Sequence, residues 1–327
     1  MQVAIVILNW NGKYDTLACL QSLQGHQNLI VVDNGSSDDS VQEIQKQFPS
    51  IHMIETGINL GYAGGNNVGI EVALKSGADA VLLLNNDTIA TPGMIQAFIH
   101  SAEKNPAVGI WGGYPLRFSN PEHLDHLGGI WDSDKGDFKL VGLNAKKGFQ
   151  NEQPLDYVCG CSIFIKREVF EKIGLLEPKF FLFWEEADFA MRAKKAGVGI
   201  DVCHEALLFH KVSASFIGGS AHKKYFWWRS RLLWIERNCT PQEKKRLFRR
   251  LIHPELWHYK KLLWIKGAEA QLLKLLRKQT VHAKEEKLRQ YRAIVQALRD
   301  YTSGTFGPGP SWLSGKNIMG DKKASSC

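Results

Sequence analysis

Long apolar runs are missing from this 327-residue chain. No stretch of eighteen or more consecutive apolar residues occurs, so the sequence offers no transmembrane span. Cysteine is scarce: six residues, at 19, 159, 161, 203, 239 and 327, are too sparse for a disulfide scaffold. Cys159 and Cys161 are one residue apart, not the two of zinc knuckles and thioredoxin-like motifs, and read as reduced core thiols. Proline (11) and glycine (30) are too few for collagen-like or low-complexity chains. Residues 44% hydrophobic and 23% charged exclude wholesale disorder and leave ample material for a core, in one large domain or two smaller ones. HExxH, paired CxxC, a nucleophile elbow, a kinase set and the GK[ST] of a P-loop are all absent.

Acid is what the second part of the chain lacks. Residues 221–300 hold 21 Lys/Arg against 7 Asp/Glu, whereas residues 1–220 hold 17 against 25. The overall charge of +8 therefore hides an acidic front joined to a basic back that carries five tryptophans, at 227, 228, 234, 257 and 264. That asymmetry suggests a catalytic unit followed by a docking or packing unit. Basic charge without a recognised nucleic-acid motif is weak evidence for a nucleic-acid partner, which is not expected. The chain opens Met1-Gln2 and runs into VAIVIL, with no basic leader, so a buried first strand and a cytoplasmic location are expected.

Residues 2–8, 28–32, 51–54 and 80–84 are continuous apolar runs, as expected for strands covered on both faces. Between them, 14–24, 38–48 and 66–76 carry helical spacing, with Ser37 or Ser40 placed to cap the second helix. This alternation predicts an α/β fold with a mostly parallel central sheet and helices on both faces. Residues 112–156, rich in Gly, Asp, Asn and Pro, read as active-site or acceptor loops with short strands. A strand is expected over 157–165, a short helix over 166–173, a helix from about 186 to 196, and two strands, VGIDV and ALLFH. The organisation expected is a catalytic domain over 1–220, a basic helical region over 221–302 with helices starting at Pro241 and Pro254, and a flexible tail over 303–327. No internal repeat stands out.

Ligands of an open parallel sheet bind beyond the carboxyl ends of its strands. Four polar clusters fall there: Asn9-Trp10-Asn11-Gly12, Asp33-Asn34-Gly35-Ser36, NLGYAGGNNVG at 59–69, and Asn85-Asn86-Asp87. Asp33 can cap its own turn or accept from a base edge. Gly64 and Gly65 can relieve a tight turn, or Asn66, Asn67 and nearby N–H groups can face a sugar or phosphate. Asp87 can cap before Thr88 or serve as a hard ligand for Mg²⁺ or Mn²⁺. His210 can be a satisfied core histidine or a metal or phosphate ligand. Glu185, Glu186 and Asp188 sit beside four Phe and a Trp, where burial and repulsion raise a carboxyl pKa toward that of a general base. Asp188 and Arg192 lie four apart and can simply pair.

Together IVILNWNG (5–12), VVDNGSSDDS (31–40), NLGYAGGNNVG (59–69), LLLNNDT (82–88), CGCSIFIKREVFEKIGLLEP (159–178), FFLFWEEADFAMRAKKAG (180–197) and LLFHKVSAS (207–215) resemble the family 2 nucleotide-sugar glycosyltransferases of GT-A fold. The rhamnosyltransferase-like branch is the nearest in pattern, and YFWWRSRLLWIERN (225–238) resembles the helix that follows its catalytic domain. The resemblance implies that Asn9 and Asp33 hold the nucleoside, that Asn59 and the 64–67 loop, with Gly65 and Asn66, wall the ribose and diphosphate, and that Asn86 and Asp87 belong to the metal motif. It further implies a catalytic base at Glu186 and a metal or diphosphate contact at His210. Two positions depart from the pattern: Asn85 replaces the first Asp of the metal motif, and Glu186 replaces an Asp, leaving Asp188 as the other candidate base.

The implied reaction is inverting transfer of a sugar, with L-rhamnose as one choice, from a UDP- or dTDP-sugar to a hydroxyl of a glycan or lipid-linked acceptor, aided by Mg²⁺ or Mn²⁺. A non-catalytic nucleotide-sugar or glycan binder, or a sugar nucleotidyltransferase, is the alternative. Residues 256–276 place Leu256, Tyr259, Leu263, Ala270, Leu273 and Leu276 at near-helical spacing among lysines. That stripe either lies on an anionic membrane face or packs on the protein or on a second copy of the chain.

Overall fold

The computed structural model describes residues 1–212, 219–275 and 281–314, except the side chains of 270, 272–275, 281–284 and 314. Chain order is β1 (Val3–Asn9), α1 (Lys13–Ser22), β2 (Leu29–Asp33), α2 (Ser40–Gln47), β3 (His52–Glu55), α3 (Gly61–Lys75), β4 (Ala80–Asn85), β5 (Thr88–Ala90) and α4 (Met94–Lys104). Then come β6 (Val108–Arg117), β7 (Asn120–Leu124), β8 (Gly128–Asp132), β9 (Asp137–Val141), β10 (Tyr157–Val158), β11 (Ser162–Lys166), α5 (Arg167–Ile173), α6 (Glu185–Lys195) and β12 (Gly199–His210). Helices α7 (Gly219–Asn238), α8 (Pro241–Leu247), α9 (His253–Leu275) and α10 (Val281–Thr302) follow.

The main sheet runs β3-β2-β1-β4-β11-β6-β12-β5, with β7 paired to β6. Its first four strands are parallel, as their unbroken apolar character demands. The expected GT-A type α/β fold is present, but the sheet is mixed. β11 runs antiparallel between β4 and β6, and β5 runs antiparallel at the edge. Val6, Val32 and Leu83 pack under α3 on one face, while Ile5, Ile7, Val31 and Leu82 pack with α1 and α4 on the other. Register places Asn9 beside Asp33 and Leu8 beside Asn85, so three strand ends finish at one edge.

Local differences from expectation have local causes. VGIDV and ALLFH form one strand, β12, whose register on β6 shifts between Val202 and Leu207 and so absorbs the polar His204-Glu205 step. Neither Ser37 nor Ser40 caps α2 with its side chain. Ser40 is already the first helical residue, and its N–H and hydroxyl both donate to Asp38. Pro241 opens α8, where Thr240 Oγ1 accepts from Glu243 N at 3.2 Å. Pro254 does not start a separate helix, because a wide π-turn over Phe248–Ile252 carries α8 directly into α9. Such a widened turn tolerates the missing N–H.

A third core joins the two charge halves of the chain. Phe180, Phe181, Trp184, Tyr225, Phe226, Trp228 and Trp234 are buried in it together. Part of the basic surplus is therefore internal. Arg229 donates to Tyr225 Oη and Gly307 O, and Arg231 to Gly136 O, Lys135 O and Glu255. Residues 303–314, expected to be loose, are held: Arg289 donates to Trp312 O and Leu313 O, and Leu313 is buried. Leu256 is buried and Tyr259 rings meet Trp228 and Tyr291, so this part of the 256–276 stripe packs inward. Ser213, Ala214, Ser215, Leu276, Arg277, Lys278 and residues 315–327 lie outside the described residues, as do the side chains of Ala270, Leu273 and Lys274. Among the described residues no helix is long and apolar enough to cross a membrane.

Candidate functional site

The first two strand ends build a cradle whose hydrogen bonds are already formed. Asn9 is fully enclosed: its Nδ2 donates to Asp33 Oδ1 at 2.7 Å and to Ser36 Oγ at 3.2 Å, and its Oδ1 accepts from Thr16 Oγ1 at 2.7 Å. Asp33 Oδ2 accepts from Ser36 N at 3.0 Å. Asn11 adopts φ +50° and accepts from the backbone N–H groups of Ser37 and Asp38. Asn34, not singled out beyond its motif, donates to Asn59 Oδ1 and Gly61 O and accepts from Leu60 N. Asn59 also accepts from Gly61 N, so its side chain shapes the loop from within.

The glycine-rich segment is the start of α3, not a loop. A Cβ on Gly65 would stand 2.5 Å from Leu8 Cδ1, so this glycine lets the helix lie close against β1. Asn66 is buried and donates to Tyr62 O one turn back, while Asn67 clasps Leu176 through its O and N. These contacts turn Asn66 and Asn67 inward, away from the ligand-facing role expected of them.

The end of β4 carries the densest polar group. Asn86 Nδ2 donates to Thr16 Oγ1 at 2.9 Å. Asp87 is buried, and its Oδ1 has no hydrogen-bond partner although it lies 3.3 Å from His210 Nε2. His210 Nδ1 lies 2.9 Å from Asp125 Oδ2. Burial alone would lower the pKa of His210, but its contacts with Asp125 and then Asp87 raise it to about 10. Ligand atoms of Asp125, His126 and Cys159 all fall within 4.8 Å of one another. Cys159 Sγ lies 3.5 Å from both His126 Nε2 and Cys161 Sγ. Asp125 and His126 escaped the sequence reading; their only signal was an Asp-His pair in a Gly- and Asp-rich stretch. The five described cysteines are free and buried, as expected.

The turn Cys159-Gly160-Cys161 links this group to the acids of α6. Asn85 N donates to Cys161 O, Tyr62 Oη donates to Gly160 O, and a Cβ on Gly160 would stand 3.5 Å from the Glu186 carboxyl. Phe181, Phe183 and Trp184 all have positive φ, at 61°, 66° and 73°. Each such bulky residue costs about 1–3 kcal/mol and persists only where its surroundings hold it. Ser230 of α7 does so, donating to Phe180 O and Leu182 O.

The three acids of α6 have different surroundings. Glu186 borders a cavity of about 330 Å³ lined by Phe138, Tyr157, Phe183, Trp184 and Trp227 among others. Burial lifts its pKa to about 7, against a lowering pull from backbone N–H groups at the helix start, and its Oε2 has no hydrogen-bond partner. Glu185 is more deeply enclosed, and burial followed by repulsion from Glu186 raises its pKa well above the usual carboxyl range. Asp188 is fully buried and accepts from Arg192, Arg237 and Asn238.

The sequence model of Glycosyl transferase family 2 matches residues 4–174. A low-salt glycan biosynthesis hexosyltransferase, Agl10, of Haloferax volcanii is 31% identical over 218 residues, covering 64% of this chain and 66% of the relative. The N-acetylglucosaminyl-diphospho-decaprenol L-rhamnosyltransferase of Mycobacterium tuberculosis is 25% identical over 247 residues, covering 64% and 80%. In structure, the chain is similar to the mannosyltransferase PcManGT of Pyrobaculum calidifontis, solved with GDP-Man and Mn²⁺. The TM-score is 0.52 at 12% identity, with 92% of this chain and 87% of that one covered.

Proposed function

The chain belongs to glycosyl transferase family 2, and from that premise we propose that it transfers a sugar from a UDP- or dTDP-sugar to an acceptor hydroxyl with inversion. The observation that carries the mechanism is the contrast among the α6 acids. Glu186 is the one that combines an unpartnered carboxyl oxygen, an adjoining aromatic cavity and a pKa near 7. Asp188 is tied to two arginines and an asparagine, which suits a structural anchor and not a base. Burial, followed by repulsion from Glu186, raises the pKa of Glu185 well above the usual carboxyl range, which disfavours a second negative charge beside Glu186.

In this reading the acceptor lies in the aromatic cavity, where sugar faces stack on rings. Glu186 removes the proton of the attacking hydroxyl, a new bond forms to the anomeric carbon, and the bond to the nucleoside diphosphate breaks on the opposite face. Asp33, braced by Asn9 and Ser36, accepts from the pyrimidine ring N–H. The buried Oδ1 of Asp87, 3.3 Å from His210 Nε2 and without a hydrogen bond of good geometry, fits a divalent cation such as Mg²⁺ or Mn²⁺, which would displace the His210 proton that Asp87 and Asp125 favour. When bound there, the ion supplies positive charge to the departing diphosphate. Asp125 fixes the orientation of His210 from behind, as a histidine ligand's second nitrogen requires.

The rhamnosyltransferase name of the mycobacterial relative favours dTDP-L-rhamnose as donor and a lipid-linked saccharide as acceptor. Residues 1–220 are proposed as the catalytic unit, with α7 closing the acceptor cavity through Trp227. Mass-spectrometric detection of nucleoside diphosphate release across a panel of nucleotide sugars, with and without Mn²⁺, tests the proposal. Release that depends on one donor and on an added acceptor supports it. Nucleotide-sugar binding without turnover on any acceptor would leave a binding protein instead.

A further inference from the structure

Helix α9 buries one side and leaves large apolar groups on the other. Leu256 is buried in the third core and Tyr259 meets Trp228 of α7 and Tyr291 of α10, whereas Trp257, Trp264 and Ile265 are 65%, 78% and 39% exposed. Positions 257, 261, 264, 265 and 268 are separated by four, three, one and three residues, which sets them on a single helical face. Lys261 lies on that face, with its Nζ 5.3 Å from the Trp257 ring, and exposed Lys260 flanks it. Of the acids of the described part of α9, Glu255 sits toward the other side and meets Arg231, whereas Glu269, four residues after Ile265, borders this face and is paired with Lys266.

We propose that this outward face of α9 docks on an anionic lipid surface, lying in the plane of the interface. Of the stripe for which sequence left lipid or packing open, Leu256 and Tyr259 pack inward, so the docking face is the opposite one. The ligand chemistry follows from the mixture of groups. Tryptophan is favoured at the headgroup level, where its ring is apolar and its N–H is wet. Lysine heads beside such rings suit phosphate headgroups, and lysine is depleted where protein meets protein. The carboxylate that borders this face, Glu269, is paired with Lys266, and the exposed side of the preceding turn adds Arg249 and Arg250. The helix lies on the bilayer and does not cross it, consistent with its charge.

This inference does not depend on the transfer reaction and is tested without it. The full chain is sedimented with vesicles of phosphatidylcholine alone or mixed with phosphatidylglycerol. It should pellet with the anionic vesicles and be released by high salt. Trp257→Ser with Trp264→Ser should lower the partition coefficient about tenfold or more, and Lys260→Glu with Lys261→Glu by about tenfold. All four positions are exposed, so melting temperature and nucleotide binding should stay at parent values. Equal pelleting with neutral vesicles, or variants that pellet like the parent, would overturn the proposal. So would a tryptophan variant that changes the mass in solution, measured by light scattering without vesicles, since the face would then belong to a second copy of the chain.

Discussion

The donor edge and the acid edge of this site solve opposite problems. At the donor edge, Asn9, Asp33, Asn34 and Asn59 satisfy one another and the surrounding backbone before any ligand arrives. At the acid edge, Glu185 and Glu186 each keep a shielded oxygen without a partner, beside rings that offer little compensation. A satisfied network is rigid and fixes a shape. An unsatisfied buried carboxyl is held at high free energy, and it relaxes by taking up a proton. In the proposed reaction one edge would supply position, the other reactivity.

The sharpest way to break that contrast is at the point where the two edges meet. Asp87→Ala should abolish transfer and weaken nucleoside diphosphate binding, and calorimetry with and without Mn²⁺ checks it. If Mn²⁺ alters binding in neither the parent nor the variant, Asp87 holds no metal. Glu186→Gln should cut turnover by ~10²–10⁴ while donor affinity and folding persist. Because the active base is the charged form, parent turnover should rise with pH and level off above about 7. Stability runs the other way. A carboxyl with a raised pKa favours the folded state fully below its unfolded value near 4.5, and that contribution is lost as pH rises through about 7. Glu186→Gln should flatten both profiles, and a profile unchanged in the variant would move the base elsewhere.

Asp188→Ala belongs to stability, not chemistry. Removing the carboxylate leaves Arg237 and Arg192 without their buried partner, at a cost of about 3–5 kcal/mol in denaturant unfolding. Residual folded enzyme should turn over normally per active site; a variant that melts like the parent but is inactive would reinstate Asp188 as a base. The smallest effect is expected from Asn34→Ala, which orphans Leu60 N and should cost about 1–3 kcal/mol. Its KM for donor should rise more than kcat falls, which reads out the loop shape held by Asn34.

The strand ends were legible because burial on both faces leaves only the termini free for polar residues. Asn9, Asp33 and Asp87 stand out against VAIVIL, LIVV and VLLL for that reason. The acids of α6 were legible through their aromatic neighbours. What sequence could not rank is which polar group is already taken. Asn66 and Asn59 have the composition of ligand contacts, yet partners at Tyr62 and Asn34, visible only in three dimensions, engage them. The antiparallel insertion of β11 was hidden because a strand buried on both faces reads alike in either direction. Asp125 and His126 were hidden because their importance comes from His210 and Cys159, far along the chain.

The left-handed run at Phe181, Phe183 and Trp184 has a consequence for how the molecule comes apart. Its carbonyl brackets come from Ser230 and its aromatic cover from Phe226 and Trp234, all on α7. A chain cut near residue 220 would lose those restraints, and the three residues would fall back to ordinary dihedral angles, carrying the start of α6 with them. The family match ends at residue 174, but the aromatic core that holds this run extends through α7. Heating should therefore melt the acid edge and the C-terminal helices in one calorimetric transition, with no stable catalytic half left behind.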